Sequence, residues 1–199
     1  MARHGEIESN RARRYAGVSN EGLTKTGREQ ATILANTLVD KQLDYICTSS
    51  ISRAKETAEL IAAILGLPLV EDHRLNEMKL GPWEGLTEVE IARRYPGEYR
   101  LWMERPDELR LAGRESLGEV AQRVRAVVAD AMASGRRELL ITHVALIRVA
   151  LLLSEHRPLG DYKKVNVANC QCYVVPEVFD GEPPTPSVHA ETVAGRLSA

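Results

Sequence analysis

Glu138-Leu139-Leu140-Ile141-Thr142-His143-Val144-Ala145-Leu146-Ile147-Arg148-Val149-Ala150-Leu151-Leu152-Leu153 reads as one strand followed by one helix. Three consecutive apolar residues, Leu139, Leu140 and Ile141, predict a buried strand over 138–142. The run from Val144 to Leu153 predicts the helix after it; interrupted by Arg148, it is too short to span a bilayer. His143 stands at the junction. In open α/β sheets ligands bind beyond the carboxyl ends of the strands, which is where this histidine would lie.

The same alternation continues outward. A helix is predicted over 23–38, capped by Thr24, with Ala31, Leu34, Ala35 and Leu38 on one side. A short strand follows over 43–48, then a helix over 52–65 with Ala54, Ala58, Ile61 and Leu65 on one face, stopped by Gly66 and Pro68. Thr87-Glu88-Val89-Glu90 is a capping box opening a helix that stops before Pro96. A second box, Ser116-Leu117-Gly118-Glu119, opens a helix with the apolar stripe Leu117, Val120, Val124, Val127, Val128 and Ala131. A last strand is expected over 170–175. The pattern predicts a three-layer α/β/α sandwich around a mostly parallel sheet. The expected organisation is one domain over 1–175, a small insertion at 96–115, and a loosely held tail over 176–199 containing Pro183, Pro184 and Pro186.

A chain of 199 residues with a formal net charge of −2 is large enough for a real core, and its charge argues against a dedicated nucleic-acid or anionic-membrane binder. No apolar stretch resembling a signal peptide follows Met1. The three cysteines, Cys47, Cys170 and Cys172, are odd in number and lack a framework spacing, which fits a reducing, cytoplasmic setting. Cys170-x-Cys172 has no second pair to complete a metal site, so neither metal nor cofactor is expected.

Arg3-His4-Gly5 sets an imidazole beside a guanidinium at a glycine turn. An imidazole nitrogen can accept a phosphoryl group, a guanidinium can hold its oxygens, and glycine lets backbone come close to an anion. His143 has two open readings: a polar strand end, or a phosphate ligand helped by the backbone N–H groups that open the next helix. Arg53 begins a helix, against the macrodipole, which fits either a solvated side chain or a nearby anion. Glu77, before Gly81-Pro82-Trp83-Glu84-Gly85, is a candidate general acid, with Glu84 as a competitor.

These stretches together resemble the histidine phosphatase superfamily, the phosphoglycerate mutase-like proteins. The opening Arg3-His4-Gly5-Glu6 with Asn10, Arg14 and Gly17 carries the likeness, as do Leu23-Thr24 and Gly27-Arg28-Glu29-Gln30-Ala31. So do Ser49-Ser50-Ile51-Ser52-Arg53-Ala54, Leu75-Asn76-Glu77, and Ile141-Thr142-His143 with Ile147-Arg148. The order is kept over about residues 1 to 175. The resemblance implies that His4 attacks phosphorus, that Arg3, Arg53 and His143 bind the phosphoryl oxygens, and that Glu77 protonates the leaving oxygen and then activates water. Asn10 and Arg14 would help hold phosphate or substrate. The implied activity is metal-independent hydrolysis of a small phosphorylated metabolite through phosphohistidine. Phosphoglycerate mutase, alpha-ribazole phosphatase and a non-catalytic regulatory protein are the alternatives, and a homodimer is left open.

Three departures stand out. Ile7 replaces a common hydroxyl residue, and Val144 a common glycine. Only Met1 and Ala2 precede Arg3, so the first strand is expected to be all but absent and His4 to sit on a fraying end. A start recorded downstream of the true one would account for this, and an intact native mass beginning at Met1 would refute that account.

Overall fold

The computed structural model describes residues 1–175. The tail expected over 176–199 lies outside the described residues. Four strands form a parallel sheet in the order β1-β4-β2-β3: β1 (Ala2–Arg3), β2 (Tyr45–Thr48), β3 (Leu69–Glu71) and β4 (Glu138–Thr142). Between them run α1 (Glu8–Arg11), α2 (Lys25–Leu38), α3 (Ser52–Leu65), α4 (Glu88–Arg94), α5 (Pro96–Glu104) and α6 (Leu117–Ala133); α7 (Val144–Ser154) follows β4.

Strand alternation divides the core into two layers. Ile46 of β2 pairs in register with Leu139 of β4, and Cys47 with Leu140. Ile46, Leu139 and Ile141 face Leu34, Leu38, Ala58 and Ile61 of α2 and α3. Cys47 and Leu140 face the opposite layer, with Val124 and Val128 of α6 and Leu146 and Val149 of α7. The expected sandwich is therefore present. Helix α3 occupies the expected span, and Gly66 ends it at φ +66°. Thr24, Thr87 and Ser116 each accept the expected capping hydrogen bond.

Two expectations need correction, and one strand was not foreseen. β3 had no prediction; its Leu69 and Val70 pair with Ile46 and Cys47 at the sheet edge. Residues 170–175 form no strand: Cys170 is left-handed at φ 51°, and Cys172 makes one antiparallel bridge to Ala2. A ladder needs a partner of equal length, and β1 offers two residues. β1 itself does not fray. It pairs with β4 on one side, and on the other Tyr173 N–H donates to Met1 O at 2.7 Å and Cys170 N–H to Arg3 O at 3.0 Å. Both sides of this short strand are thus hydrogen-bonded, which satisfies the backbone and fixes His4.

Candidate active site

Three parallel strands end on the same edge, and their next residues meet there. The ladder runs one step past each end: His4 N–H donates to Thr142 O at 3.1 Å and Ser49 N–H to Ile141 O at 3.0 Å. His4, Ser49 and His143 therefore converge, with the His4 and His143 rings 5.1 Å apart. His4, Arg53 and His143 are 2 %, 1 % and 0 % exposed, so the group lies inside the protein.

The hydrogen bonds of His4 fix its tautomer. Its Nδ1 lies 2.7 Å from Gly5 O, and a carbonyl only accepts, so Nδ1 carries the proton. Nε2 is then unprotonated, and its lone pair accepts from Arg53 Nε at 3.1 Å. Burial first, then repulsion from Arg53 and Arg3, holds the ring well below the ordinary histidine range. Gly5 also has a packing role: a Cβ there would fall 2.4 Å from Gly27 O, so the glycine admits the first turn of α2.

Arg53 also donates Nη1 to Ser19 O at 2.9 Å and Nη2 to Gly17 O. Among the described residues no carboxylate bonds to it; Glu77, Glu21 and Glu84 act on it only through space. A guanidinium buried without an ion pair is costly unless an anion joins it. Arg3 is similar: one Nη donates to Val167 O at 2.9 Å, while its buried Nε has no partner among the described residues.

Glu77 is buried, and one carboxyl oxygen accepts from Met78 N–H at 2.9 Å. Burial raises its pKa against the opposing pull of Arg53, the Met78 N–H and Arg3. Its competitor Glu84 instead accepts from Leu80 N–H at 3.2 Å. The loop before Glu77 is tied down by Thr142 Oγ1 on Leu75 O at 2.6 Å and Arg123 on Asn76 O at 3.0 Å.

Asn10 faces the same cavity, where its Oδ1 accepts from Asn169 Nδ2 at 3.1 Å. Asn169 also donates to His4 O at 2.9 Å and was not foreseen, since a lone asparagine carries no sequence signal. Arg14 lines the cavity too, but its guanidinium is engaged by Gly85 O and Glu90 outside the buried group. Ile7 is fully buried, and Val144 borders the cavity. The cavity measures about 820 Å³ and opens from His4, Arg3, Arg53 and Glu77 toward Trp102, Arg148, Tyr162 and Lys163. Among the described residues no group of His, Cys, Asp and Glu is arranged to hold a metal ion.

An unprotonated imidazole nitrogen, buried unpaired guanidinium groups and a carboxyl with a raised pKa fit phosphoryl transfer. The family profile described as histidine phosphatase superfamily (branch 1) matches residues 1–186. The chain belongs to the histidine phosphatase superfamily. It is 35% identical over 125 residues to phosphoserine phosphatase 1 of Hydrogenobacter thermophilus, covering 63% of this chain and 59% of that one. It is 35% identical over 158 residues to glucosyl-3-phosphoglycerate phosphatase of Mycolicibacterium vanbaalenii, covering 74% and 69%. The solved structure of Bacillus stearothermophilus YhfR superposes with a TM-score of 0.79 at 30% identity, covering 84% of each chain. The match thus spans about three-fifths of the Hydrogenobacter protein's length.

Proposed function

We propose that this histidine phosphatase superfamily member hydrolyses a small phosphomonoester through phosphohistidine at His4. The observation that carries the reading is the unprotonated Nε2 of His4, its ring held through Nδ1 by the Gly5 carbonyl and through Nε2 by Arg53, in a cavity with a buried carboxyl. Nε2 attacks phosphorus, the P–O ester bond breaks, and Glu77 delivers its proton to the departing oxygen. The Glu77 carboxylate then takes a proton from water, whose oxygen attacks phosphorus and releases phosphate from His4. Arg3, Arg53 and His143 hold the equatorial oxygens, and Asn10 and Arg14 border the phosphate and its approach.

The rest of the cavity favours a substrate with a second anionic group. Arg148 has its Nε fixed by Val165 O at 2.8 Å and has no carboxylate partner among the described residues. Lys163 meets Glu88 only at 3.4 Å. The substrates in the names of the two relatives, phosphoserine and glucosyl-3-phosphoglycerate, each carry a carboxylate besides the phosphate. Three unpaired cysteines support a reducing, cytoplasmic setting, and among the described residues no helix is long and apolar enough to cross a membrane.

The test is hydrolysis of p-nitrophenyl phosphate together with a panel of phosphorylated metabolites. The wild type should turn over and become labelled by substrate phosphate in an acid-labile, base-stable form. His4→Ala should lose both turnover and label. Turnover retained in His4→Ala would overturn the mechanism, and isomerisation of a phosphoglycerate without phosphate release would assign mutase chemistry instead.

A further inference from the structure

Ser49 and Asn76 have no part in the chemistry above, yet they decide which nitrogen of His143 carries a proton. Asn76 Oδ1 accepts from the backbone N–H of Ser50 at 3.0 Å, which identifies that atom as oxygen. The Ser49 hydroxyl lies 2.8 Å from the same oxygen, so it spends its one proton there. Ser49 Oγ also receives Ile51 N–H at 3.1 Å. Its remaining contact, His143 Nε2 at 2.8 Å, must then be a donor. His143 therefore carries its proton on Nε2.

The other nitrogen, Nδ1, is buried and meets no hydrogen-bonding group among the described residues. In the neutral ring it is a bare lone pair. Burial first, then the charges of Arg53 on α3, Arg3 on β1 and Arg123 on α6, disfavour a second proton. Glu77, the acid of the cavity, does not bond to the ring. This arrangement suits an empty site poorly matched to a dianion. A lone pair facing a phosphoryl oxygen repels it, because both are acceptors. One proton between them turns the contact into a charge-assisted hydrogen bond.

We infer that Ser49 and Asn76 are positioning residues that hold His143 as an Nδ1 proton acceptor, so that a phosphoryl dianion binds together with one proton from solvent. The inference rests on the reading that a phosphoryl group at His4 Nε2 reaches Nδ1 of the neighbouring His143 ring. The balance is simple: enzyme, dianion and one proton give a complex with His143 doubly protonated. A phosphate monoanion that brings the same proton gives the same complex. Above the second ionisation of phosphate, affinity falls about tenfold per pH unit for each proton taken up. The Asn76–Ser49–His143 chain also links the acid loop to the phosphate site, since Asn76 precedes Glu77.

The experiment uses inorganic phosphate and the Glu77→Gln protein, which removes the competing carboxyl proton. Calorimetry in two buffers of different ionisation heat counts the protons taken up at alkaline pH. We expect close to one proton, and a dissociation constant that rises about tenfold per pH unit. In the Ser49→Ala, Glu77→Gln protein, His143 is free to move its proton to Nδ1 and donate without uptake. The count should fall toward zero and the pH slope should flatten, while Ser49→Thr restores both. A structural role alone would weaken binding with the slope unchanged. Nitrogen-15 histidine spectra of the wild type guard against misfolded variants: on phosphate addition His143 should gain a proton at Nδ1, whereas protonation of His4 would appear at Nε2. Phosphate binding with no uptake, or equal uptake with and without the Ser49 hydroxyl, overturns the inference and leaves the proposed phosphatase site standing. No phosphate binding, or binding unaffected by Arg53→Ala, overturns the site itself.

Discussion

Burial and two guanidinium groups hold His4 well below the ordinary histidine range, and burial raises Glu77 above the ordinary carboxylate range. The two shifts have opposite signs in the stability of the protein. His4 titrates in the unfolded chain near pH 6.5 but well below that in the fold. Below about pH 6.5 the unfolded state therefore binds more protons at this site, and stability drops as pH falls. Glu77 titrates near pH 4.3 unfolded and higher when folded, so between those values the native state binds the extra proton. Its contribution is fully present below the unfolded value and is lost as pH rises through the folded one. Replacing Glu77 with glutamine removes that native-state proton. Urea unfolding between about pH 4.5 and 6 should then show a loss on acidification steeper than wild type by up to about 1.4 kcal/mol per pH unit. His4→Ala should make the loss shallower by a similar amount. Parallel curves for wild type and Glu77→Gln would show that this carboxyl is not proton-bearing in the fold.

Helix α2 and the His4 loop touch through glycine on both sides, which sets an element-scale constraint. A Cβ on Gly27 would lie 2.2 Å from Glu6 O, a backbone atom that cannot swing aside. Gly27→Ala should cost about 1–3 kcal/mol, as overpacked sites do, and should lower turnover by displacing His4. Gly97 in α5 has nothing within 4 Å of its Cβ position, so Gly97→Ala should leave activity alone and raise stability by up to about 1 kcal/mol. Thermal melts and turnover of the two variants decide this; equal behaviour would refute the contact. The α2 stripe, the α3 span and the caps at Thr87 and Ser116 were legible because helices announce themselves through periodicity and caps. β3 was not, because three edge residues, two of them exposed, carry no apolar run. The expected strand over 170–175 failed for a reason no local pattern contains, the two-residue length of its partner. Likewise His4, Arg53, Glu77 and His143 stand in recognisable motifs, while the positions of Ser49, Asn76 and Asn169 depend on strands and loops meeting across the fold.

At the scale of the whole molecule, a formal charge of −2 coexists with a cavity that gathers Arg3, Arg13, Arg53, Arg148 and Lys163. Two acids among its lining residues, Glu77 and Glu88, offset them in part. The outer surface is therefore more acidic than the total suggests, and field lines for an anion converge on this one mouth. Arg13, at its rim, holds a left-handed φ of 52° that a side chain rarely adopts, a strain that places it where it is. Arg148 is fixed differently, by its bond to Val165 O and by stacking 5.0 Å over the Tyr162 ring. A fixed guanidinium loses little freedom when it takes a carboxylate, so its contribution should be selective for substrates that carry one. A charged hydrogen bond contributes about 1.5–3 kcal/mol, so Arg148→Ala should raise KM roughly ten- to hundredfold for a phosphomonoester that carries a carboxylate. With p-nitrophenyl phosphate, which has no carboxylate, KM should change by no more than about threefold, the residual effect of the lost Val165 contact. Arg148→Lys keeps the charge but not the fork and should fall between. The selectivity should also weaken with added salt, since the cavity is open to solvent and its rim charges are screened. Equal losses on both substrates would make Arg148 a support for the cavity wall and would leave the second anionic group without a partner there.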